Sequence, residues 1–369
     1  MSFLNTNNPG MRILAWPVKS SSNPYTSLLY AEMESGVGVE EFGLRGLLRR
    51  SRICHLHWPE SLLNIRNPIK AACKVQGLFT AVDCLRSRGT KVVWTMHNFK
   101  SHEARHPSLE RWFWRGFIPR LDGAISLSAT ALGMAIKAFP RLGTIPTTII
   151  PHGHYRDEYP VTTVDARQTL NIAPDAKVLL FFGAIRAYKN VESLVRAFRA
   201  LDAPDALLYI VGRPNAPRLA SSILAEASRD FRVRVRFAFV NPNQVATYLG
   251  ASNLVVLPYR QVLNSGSALL ALSCSRPLLV PDLGSMGELQ SDFGEQWVQT
   301  YSEELSPAVL KPSLDWACQT RPAICPMPEK YDWSFIRSET VRFYDRVVSG
   351  VKEVVVDRAD RISTTCRIG

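Results

Sequence analysis

Short apolar runs alternate with helix-like stretches along almost the whole chain, and this alternation restricts the fold more than any other feature. The first half contains five apolar runs, at residues 11–17, 53–59, 91–98, 123–128 and 147–153. The second half contains five more, at residues 177–185, 206–212, 233–240, 253–259 and 276–282. Near-continuous hydrophobic strands that are joined by helices are typical of parallel sheets covered on both faces. The pattern therefore predicts an α/β chain with two such sheets.

The chain of 369 residues is long enough for two domains of ordinary size. Each set of five runs suits one Rossmann-like domain, and two such domains with parallel sheets facing a central cleft form the architecture called GT-B. Ligands of doubly wound sheets bind beyond the carboxyl ends of the strands, so we expect functional residues there. The predicted segments are an N-terminal domain at 1–160, a C-terminal domain at 161–328, a crossover helix at 329–350 and a flexible tail at 351–369.

Positive charge is concentrated in the first predicted domain. The net charge is +12, and residues 1–160 hold 20 Lys and Arg against 11 Asp and Glu. This surplus favours an anionic partner. Aromatic residues are mixed with arginines in ERWFWRGFIPR (110–120), and LRGLLRRSR (44–52) adds cations, a composition that fits an anionic membrane surface. The alternative for 110–120 is a helix that packs its aromatic side chains in the core.

Several partners and compartments are disfavoured by what the sequence lacks. No helix-turn-helix, zinc-finger or RNA-binding signature occurs, so we expect no nucleic acid partner. No run approaches the ~20 apolar residues of a membrane span, and the first residues contain no signal-peptide core. The seven cysteines are odd in number and form no C-x-x-C pair, which favours reduced thiols. We therefore expect a cytoplasmic protein that is peripheral to a membrane.

Two cations follow the first apolar run of the second half, in FFGAIRAYKNVE (181–192). Gly183 allows a ligand to approach the backbone closely, and Arg186 and Lys189 stand at the mouth of a predicted helix. Because cations are disfavoured at a helix N-terminus, a solvated Arg and Lys explain this position less well than a bound anion does. The motif predicts that both cations hold the diphosphate of a sugar nucleotide, whose charge grows as the sugar bond breaks.

Small polar residues also precede the helix after the fourth run of this half, in LPYRQVLNSGSALLALS. A helix N-terminus offers free N–H groups to phosphate oxygens, although Ser and Asn also serve as ordinary caps. VGRPN (211–215) ends the second run and would flank a nucleobase, although turn chemistry alone accounts for it too. The further predicted donor-binding residues are Gly212, Arg213, Tyr259, Asn264, Ser265, Gly266 and Ser267.

All seven histidines lie between residues 55 and 154, at or just after the ends of apolar runs. Their spacings do not match those of zinc sites. No D-x-D triplet, which a metal-dependent sugar transferase of the other common fold would carry, occurs in the chain. We therefore expect neither a metal nor a cofactor. His55, which lies within a run, is expected to be structural.

Transfer to an acceptor hydroxyl needs a base that removes the hydroxyl proton. The sequence leaves three catalytic candidates open, namely His97, Glu60 and Glu103, and His97 is alternatively a ligand of the sugar. Residues next to other run ends are expected to bind the acceptor, namely His152, His154 and Trp58.

Five motifs occur in order from about Asn23 to the last amphipathic segment: HLHWPE, TMHN followed by HE, HGHYRD, IRAYKNVE and LPYRQVLNSGSALLALSCSRPLL. This set resembles the xanthan-type GDP-mannose:glycolipid 4-β-D-mannosyltransferases, glycosyltransferase family 94. The resemblance implies inverting transfer of mannose from GDP-mannose to a polyprenyl-diphosphate-linked oligosaccharide, in exopolysaccharide repeat-unit assembly at the inner face of a bacterial plasma membrane. Retaining enzymes of GT-B family 4 carry two glutamates where this chain has Val262 and Leu270, which favours the inverting family.

Two other functions are left open by the residues. One is a GT-B enzyme with a different donor, either a transferase that uses a UDP- or dTDP-sugar or a sugar-nucleotide epimerase. An epimerase would not need a first domain that faces a membrane. The other is a non-catalytic, membrane-docked glycan-binding scaffold, against which Arg186 and Lys189 speak because they stand at the position of the leaving group.

Overall fold

A computed structural model describes residues 10–20, 23–99, 105–156, 158–159 and 165–350. The chain divides into two compact units. The first unit comprises the residues up to His152 together with those from Trp333 onward, and the second comprises Gly153–Asp332. In the described part of the chain, each unit is built on a sheet of six parallel strands. The predicted fold class, α/β with two parallel sheets, is confirmed.

The first unit begins with strands and helices in near-regular alternation. Its elements up to His152 are β1 (Arg12–Trp16), α1 (Tyr25–Tyr30), β2 (Gly38–Glu41), α2 (Leu44–Leu48), β3 (Ile53–His57), α3 (Pro68–Ser87), β4 (Lys91–Met96), α4 (Pro107–Phe117), β5 (Gly123–Ser126), α5 (Ala129–Ala138) and β6 (Thr147–Ile149). The strand order is β2-β1-β3-β4-β5-β6. Both β3 and β4 therefore lie inside the sheet, with their carboxyl ends side by side.

Apolar side chains of the central strands alternate between two core layers, because successive residues of a strand point to opposite faces. Leu14 and Trp94 belong to one layer, whereas Ile13 and Val93 belong to the other. Every residue of β3 is buried. This two-sided burial explains why these strands are visible in the sequence as near-continuous apolar runs.

The second unit repeats the alternation. Its elements are α6 (Ala166–Thr169), β7 (Lys177–Phe182), α7 (Val191–Arg199), β8 (Ala206–Val211), α8 (Pro217–Ala227), β9 (Val233–Arg236), α9 (Pro242–Ala251), β10 (Leu254–Val256), α10 (Gly266–Ser273), β11 (Leu278–Pro281), α11 (Met286–Phe293), β12 (Val298–Tyr301) and α12 (Pro307–Ala317). The strand order is β12-β11-β10-β7-β8-β9. The chain moves outward from β7 to β9 and then returns to β10 on the other side of β7. The β7–β10 boundary is thus the switch point where doubly wound sheets bind ligands.

The last described helix, α13 (Trp333–Ser349), belongs to the first unit. Its residues Ile336, Phe343 and Tyr344 are fully buried in one core layer of that unit. Arg337 Nη1 donates a hydrogen bond of 3.1 Å to the carbonyl of Leu28 on α1. The chain therefore crosses back to complete the first core.

The aromatic residues of α4 are mostly part of the core. Phe113 and Phe117 are fully buried and Trp114 is nearly so, whereas Trp112 is 40% exposed. The ring of Phe113 lies 6.0 Å from that of Phe79 on α3. The expectation that this helix presents its aromatic side chains to a membrane is therefore wrong for three of the four, because they fill the space between α3, α4 and the sheet.

Candidate active site

The end of β7 and the start of α10 converge around Gly183. Its φ of +128° lies in a region that side-chain-bearing residues rarely adopt. A Cβ built on Gly183 would lie 2.7 Å from Ser267 Oγ and 3.7 Å from Lys189 Nζ. A hydroxyl and an ammonium group thus flank bare backbone at the switch point of the sheet.

Arg186 directly precedes the short 3-10 turn Ala187–Lys189 that follows β7, and Lys189 is the last residue of that turn. Arg186 Nη1 donates 3.1 Å to the carbonyl of Ile185, and Lys189 Nζ lies 5.0 Å from the centre of the Tyr259 ring. Among the described residues, neither cation has a carboxylate within ion-pair distance. Two cations without acidic partners can bind an anion without first breaking an ion pair.

The N-terminus of α10 supplies further donors. Ser265 caps the helix, since its Oγ accepts a hydrogen bond of 3.3 Å from the backbone N–H of Ala268. The amide nitrogen Nδ2 of the neighbouring Asn264 is buried and has no hydrogen-bond partner in the described structure. Capping therefore explains Ser265, whereas no contact of this kind accounts for the buried amide donor of Asn264.

The other predicted donor residues differ in their surroundings. Gly212, at the end of β8, packs so closely on β7 that an added Cβ would lie 1.8 Å from the carbonyl oxygen of Gly183. Tyr259 is buried, and its hydroxyl has no hydrogen-bond partner among the described residues. The side chain of Arg213 is exposed, while its carbonyl accepts 3.0 Å from the N–H of Ile185. Gly212 and Tyr259 therefore shape the region around Gly183 and Lys189, and Arg213 lies open to solvent.

In the first unit, three of the predicted residues collect around the buried ring of Tyr25. Trp58 stacks on His97 with ring centres 4.1 Å apart and an interplanar angle of 22°. Tyr25 lies 4.8 Å from His97 and 4.7 Å from His152. His97 directly follows β4, and His152 follows β6. The carboxyl edge of the first sheet thus brings together Trp58, His97 and His152.

His97 is also the end of a row of buried hydrogen bonds. Its Nε2 lies 3.1 Å from Nδ1 of His57, whose Nε2 lies 2.8 Å from the hydroxyl of Tyr30. That hydroxyl lies 2.8 Å from Nδ1 of His55, and Nε2 of His55 lies 2.7 Å from Oγ1 of Thr95. The other ring nitrogen of His97, Nδ1, makes no hydrogen bond to a described residue.

The three histidines of this row are uncharged at neutral pH. Burial lowers the pKa of His55 to about 3. Burial, with the neighbouring imidazoles, also holds the pKa values of His57 and His97 well below the usual 6.5. The row therefore consists of neutral groups, each with hydrogens to donate and lone pairs to accept them.

Glu60 lies in the 3-10 turn Pro59–Asn64 that follows β3 and is only 3% exposed. Asn98 Nδ2 donates 3.3 Å to its Oε1, whereas its Oε2 is buried without a hydrogen-bond partner in the described structure. Burial raises the pKa of Glu60 to about 7. A carboxylate with one unpaired oxygen and a pKa near neutrality suits proton abstraction at physiological pH.

The remaining predicted residues lie elsewhere. His154 belongs to the second unit, where its Nε2 lies 3.0 Å from Oδ1 of Asp332 and its N–H donates to the carbonyl of Tyr331. The structure therefore does not place it in the Tyr25 cluster with His152. Glu103 lies outside the described residues. No group of three metal-binding side chains occurs among the residues that the structure describes.

Sequence reasoning missed the partners that complete the histidine row. Tyr30 and Tyr25 lie on α1, Thr95 lies on β4, and the hydroxyl of Tyr344 on α13 lies 2.6 Å from Nδ1 of His55. One signal was available. His55 and the next histidine are two residues apart in a strand, so both side chains point to the same face and need polar partners when buried.

Known proteins are similar in sequence to most of this chain. Residues 176–310 match the family described as glycosyl transferases group 1. The chain is 33% identical over 332 residues to a GDP-mannose:glycolipid 4-beta-D-mannosyltransferase from a strain of Xanthomonas campestris pv. campestris, with 88% of each chain covered. A second protein of that name and pathovar is 34% identical over 328 residues, again with 88% of each chain covered.

Solved structures share the architecture at lower identity. The chain is similar to Anabaena HepE, solved in complex with UDP and glucose, with a TM-score of 0.64 and 15% identity. The likeness covers 91% of this chain and 99% of that one. At this identity the likeness shows the fold alone, and it confirms the predicted GT-B class.

Proposed function

This chain belongs to the family of the GDP-mannose:glycolipid 4-beta-D-mannosyltransferases and is a glycosyltransferase, and from that premise we propose that it transfers mannose from GDP-mannose to a polyprenyl-diphosphate-linked oligosaccharide. The proposed reaction inverts the anomeric carbon and needs no metal. The observation that carries the proposal is the convergence of Lys189 and Ser267 on the bare backbone of Gly183 at the switch point of the second sheet, with a second cation, Arg186, directly before the turn that holds Lys189. The enzyme would act in assembly of an exopolysaccharide repeat unit.

The second unit would hold the donor through its diphosphate. As the bond between mannose and phosphate breaks, negative charge grows on the leaving GDP. Arg186 and Lys189 stabilise that charge, together with the N-terminus of α10 and the unpaired amide of Asn264. Hydrogen-bond donors that are already fixed in position stabilise the negative charge of the transition state without having to reorganise. These cations supply the positive charge that a divalent metal supplies in other sugar transferases.

The first unit would hold the acceptor and its base. Of the open candidates we assign the base to Glu60, whose unpaired Oε2 accepts the proton of the acceptor hydroxyl. The hydroxyl oxygen then attacks the anomeric carbon on the face opposite GDP, which inverts the configuration. The apolar side chains Val262 and Leu270, at the positions of the two glutamates of the retaining enzymes, are consistent with inversion. His97, with His152 and Trp58, would bind the sugar.

A membrane-bound acceptor requires the enzyme to reach the lipid surface. No helix in the described residues is long and apolar enough to cross a membrane. Helix α2 exposes two leucines, Leu44 at 83% and Leu48 at 81%. Around them Arg45, Arg50 and Arg52 are exposed and form no ion pair within the described part of the chain. Leucines that insert among acyl chains and arginines that meet anionic headgroups suit peripheral binding at the inner face of the plasma membrane.

Vesicle sedimentation tests this surface. Leu44→Asp with Leu48→Asp should weaken binding to vesicles that contain phosphatidylglycerol by at least about tenfold, since two exposed leucines that would enter the acyl chains are replaced by charged residues. The matched control is Phe231→Asp with Ile324→Asp, which alters two exposed apolar residues of the second unit. Equal binding by the two double variants would exclude α2 as the docking element.

The transfer reaction is tested with labelled donors. The purified enzyme, GDP-[¹⁴C]mannose and a lipid-linked oligosaccharide fraction are incubated in EDTA, and label in the organic phase is counted. We expect transfer that persists in EDTA, and an anomeric ¹³C–¹H coupling typical of a β-mannoside in the product. Transfer that occurs only from UDP- or dTDP-sugars would show that GDP-mannose is not the donor. Conversion of the free nucleotide sugar without acceptor would indicate an epimerase, and binding without turnover would indicate a scaffold.

A further inference from the structure

The buried row from Thr95 to His97 contains five groups joined by four hydrogen bonds. Its members are Thr95, His55, Tyr30, His57 and His97. A hydroxyl and a neutral imidazole each bring one hydrogen to such a row. Each of the two inner imidazoles must donate on one side and accept on the other, whereas the hydroxyl of Tyr30 has two lone pairs and can also accept from both His55 and His57. If Tyr30 accepts from both, its own hydrogen goes to the neighbouring hydroxyl of Tyr344, and the Tyr344 hydrogen is then buried without an acceptor among the described residues. Because that arrangement is disfavoured, two arrangements are left to compare, and in each of them all four bonds point the same way.

The two arrangements differ at the ends of the row. If the bonds point toward Thr95, the Thr95 hydrogen is left over and His97 carries its hydrogen on Nε2. If they point toward His97, Thr95 donates to His55 and the hydrogen of His97 sits on Nδ1. The ends are not equivalent, because Thr95 is fully buried and its hydroxyl has no other partner among the described residues. His97 ends the row at the carboxyl edge of the sheet and retains 8% exposure.

A buried hydroxyl hydrogen without an acceptor costs free energy, whereas an N–H at a binding site can bond to water or ligand. We infer that Tyr30, His55 and His57 are positioning residues that fix His97 with its hydrogen on Nδ1, as a hydrogen-bond donor to an oxygen atom of the substrate. His97 then holds a sugar or phosphate oxygen and does not remove a proton. This inference rests on the proposed function only for the nature of that oxygen.

The side branch at Tyr344 fits the same arrangement. Its hydroxyl lies 2.6 Å from Nδ1 of His55, beside the hydroxyl of Tyr30. When His55 carries its hydrogen on Nδ1, the Tyr344 oxygen is a second acceptor for it. The branch does not lie between Thr95 and His97, so its hydroxyl can be removed without breaking the row. This makes Tyr344 the matched control for Tyr30.

The test is ¹⁵N NMR of histidine-labelled protein without substrate, with the His97 signals assigned by loss in His97→Gln. The wild type should show His97 with Nδ1 protonated and Nε2 as the acceptor. Tyr30→Phe cuts the row between His55 and His57 and should give a mixture of the two tautomers at His97. Tyr344→Phe also removes a buried tyrosine hydroxyl bonded to His55 and should keep the wild-type tautomer. A wild-type His97 protonated on Nε2, or equal spectra for the two Phe variants, would overturn the inference.

Kinetics separate a positioning role from a merely structural one. Tyr30→Phe should raise KM for the sugar nucleotide or the acceptor about tenfold at a temperature where both variants are fully folded, and Tyr344→Phe should change KM less than twofold. The NMR result does not depend on turnover. If no donor supports transfer but the tautomers behave as expected, the proposed function fails and the positioning role stands. If transfer occurs with unchanged tautomers in Tyr30→Phe, the reverse holds.

Discussion

The two predicted halves of the active site use polar groups in opposite ways. In the second unit, Arg186 and Lys189 lack acidic partners in the described structure, and the amide of Asn264 is buried without a hydrogen bond. In the first unit, buried polar groups form hydrogen bonds to one another in a row that ends at His97. The first set is incomplete until an anion arrives. The second set is complete except for Nδ1 of His97, so its effect is to orient that one residue.

This difference follows from the charge of the ligands. A diphosphate brings its own negative charge, so a site for it needs exposed cations and free N–H groups. A sugar hydroxyl is neutral, and a site for it needs donors and acceptors held in one direction. Glu60 is the exception in the first unit, since one of its oxygens is unpaired, and we have assigned the chemistry to it for that reason.

The largest effect is expected when the base is removed. Glu60→Gln should lower kcat by ~10²–10⁴-fold, the range that general base catalysis contributes. Because the base must be ionised and burial raises the Glu60 pKa to about 7, wild-type kcat/KM should fall tenfold per pH unit below about pH 7. The pH profile of transfer checks both expectations, with Asp83→Asn at the surface as the control. Activity that persists unchanged to pH 6 would instead favour His97, whose pKa is held below 6.5.

The next effect concerns the cations of the second unit. Arg186→Ala and Lys189→Ala should each lower kcat by ~10²–10³-fold, as does loss of one donor from a site that stabilises developing charge. Initial rates at saturating donor check this. Arg218→Ala removes an exposed cation of the same unit and should leave the rate unchanged. Rates within twofold of the wild type in both site variants would mean that the leaving group is stabilised elsewhere.

A smaller effect is expected at Gly183, which lies beside the side chains of Ser267 and Lys189. In Gly183→Ala the new Cβ would lie 2.7 Å from Ser267 Oγ, so KM for the donor should rise at least about tenfold; the strained backbone should also cost about 1–3 kcal/mol of stability. Donor titrations and thermal unfolding check the two parts. Gly294→Ala, at φ +81° with nothing near its Cβ, should lose stability without loss of donor affinity. The same change of KM in both variants would show that strain, and not crowding, is responsible.

The smallest effect is on stability as a function of pH. His55, His57 and His97 stay neutral when folded, so their contribution is complete above pH 6.5 and is lost as the pH falls. Glu60 acts in the opposite direction, because its raised pKa favours the folded state at low pH and that contribution is lost as the pH rises through about 7. The net change should be a loss of about 2 kcal/mol between pH 6.5 and 5.5.

Denaturant unfolding at several pH values measures that loss. Glu60→Gln removes the opposing contribution, so the variant should lose stability more steeply than the wild type, by about 1 kcal/mol more over the same pH unit. A slope that is equal or shallower in the variant would show that Glu60 is not protonated in the folded protein near pH 6.

Much of the fold could be predicted because its central strands are buried on both faces. The ten apolar runs correspond to β1, β3–β6 and β7–β11. The two strands that were missed, β2 and β12, lie at sheet edges and read GVEE and VQTY, since an edge strand facing solvent does not need an apolar run. The aromatic stripe of α4 was misinterpreted, although Phe113, Trp114 and Phe117 recur with the helical period of a core-facing side.

The candidate site was predictable as a set of strand ends, but its internal contacts were not. Arg186, Lys189 and Ser267 follow the apolar runs of β7 and β10, so their place at strand ends could be predicted, whereas the adjacency of β7 and β10 is visible only in the structure. The histidine row depends on contacts between residues far apart in the chain, such as that of His55 with Tyr344 on the last helix. No local pattern specifies such a contact, and the unpaired oxygen of Glu60 likewise becomes visible only once the neighbouring side chains are placed.

The central claim is that the cations after β7 hold the diphosphate of a guanosine sugar nucleotide. Calorimetric titration of the wild type and of the Arg186→Ala, Lys189→Ala double variant with GDP, in EDTA, tests it most directly, with UDP as the comparison nucleotide. The account predicts that the wild type binds GDP in EDTA more tightly than UDP, and that the double variant binds GDP at least about a hundredfold more weakly, since two charge-assisted contacts are lost. Equal GDP affinity in the two proteins, or binding that disappears with EDTA, would contradict it.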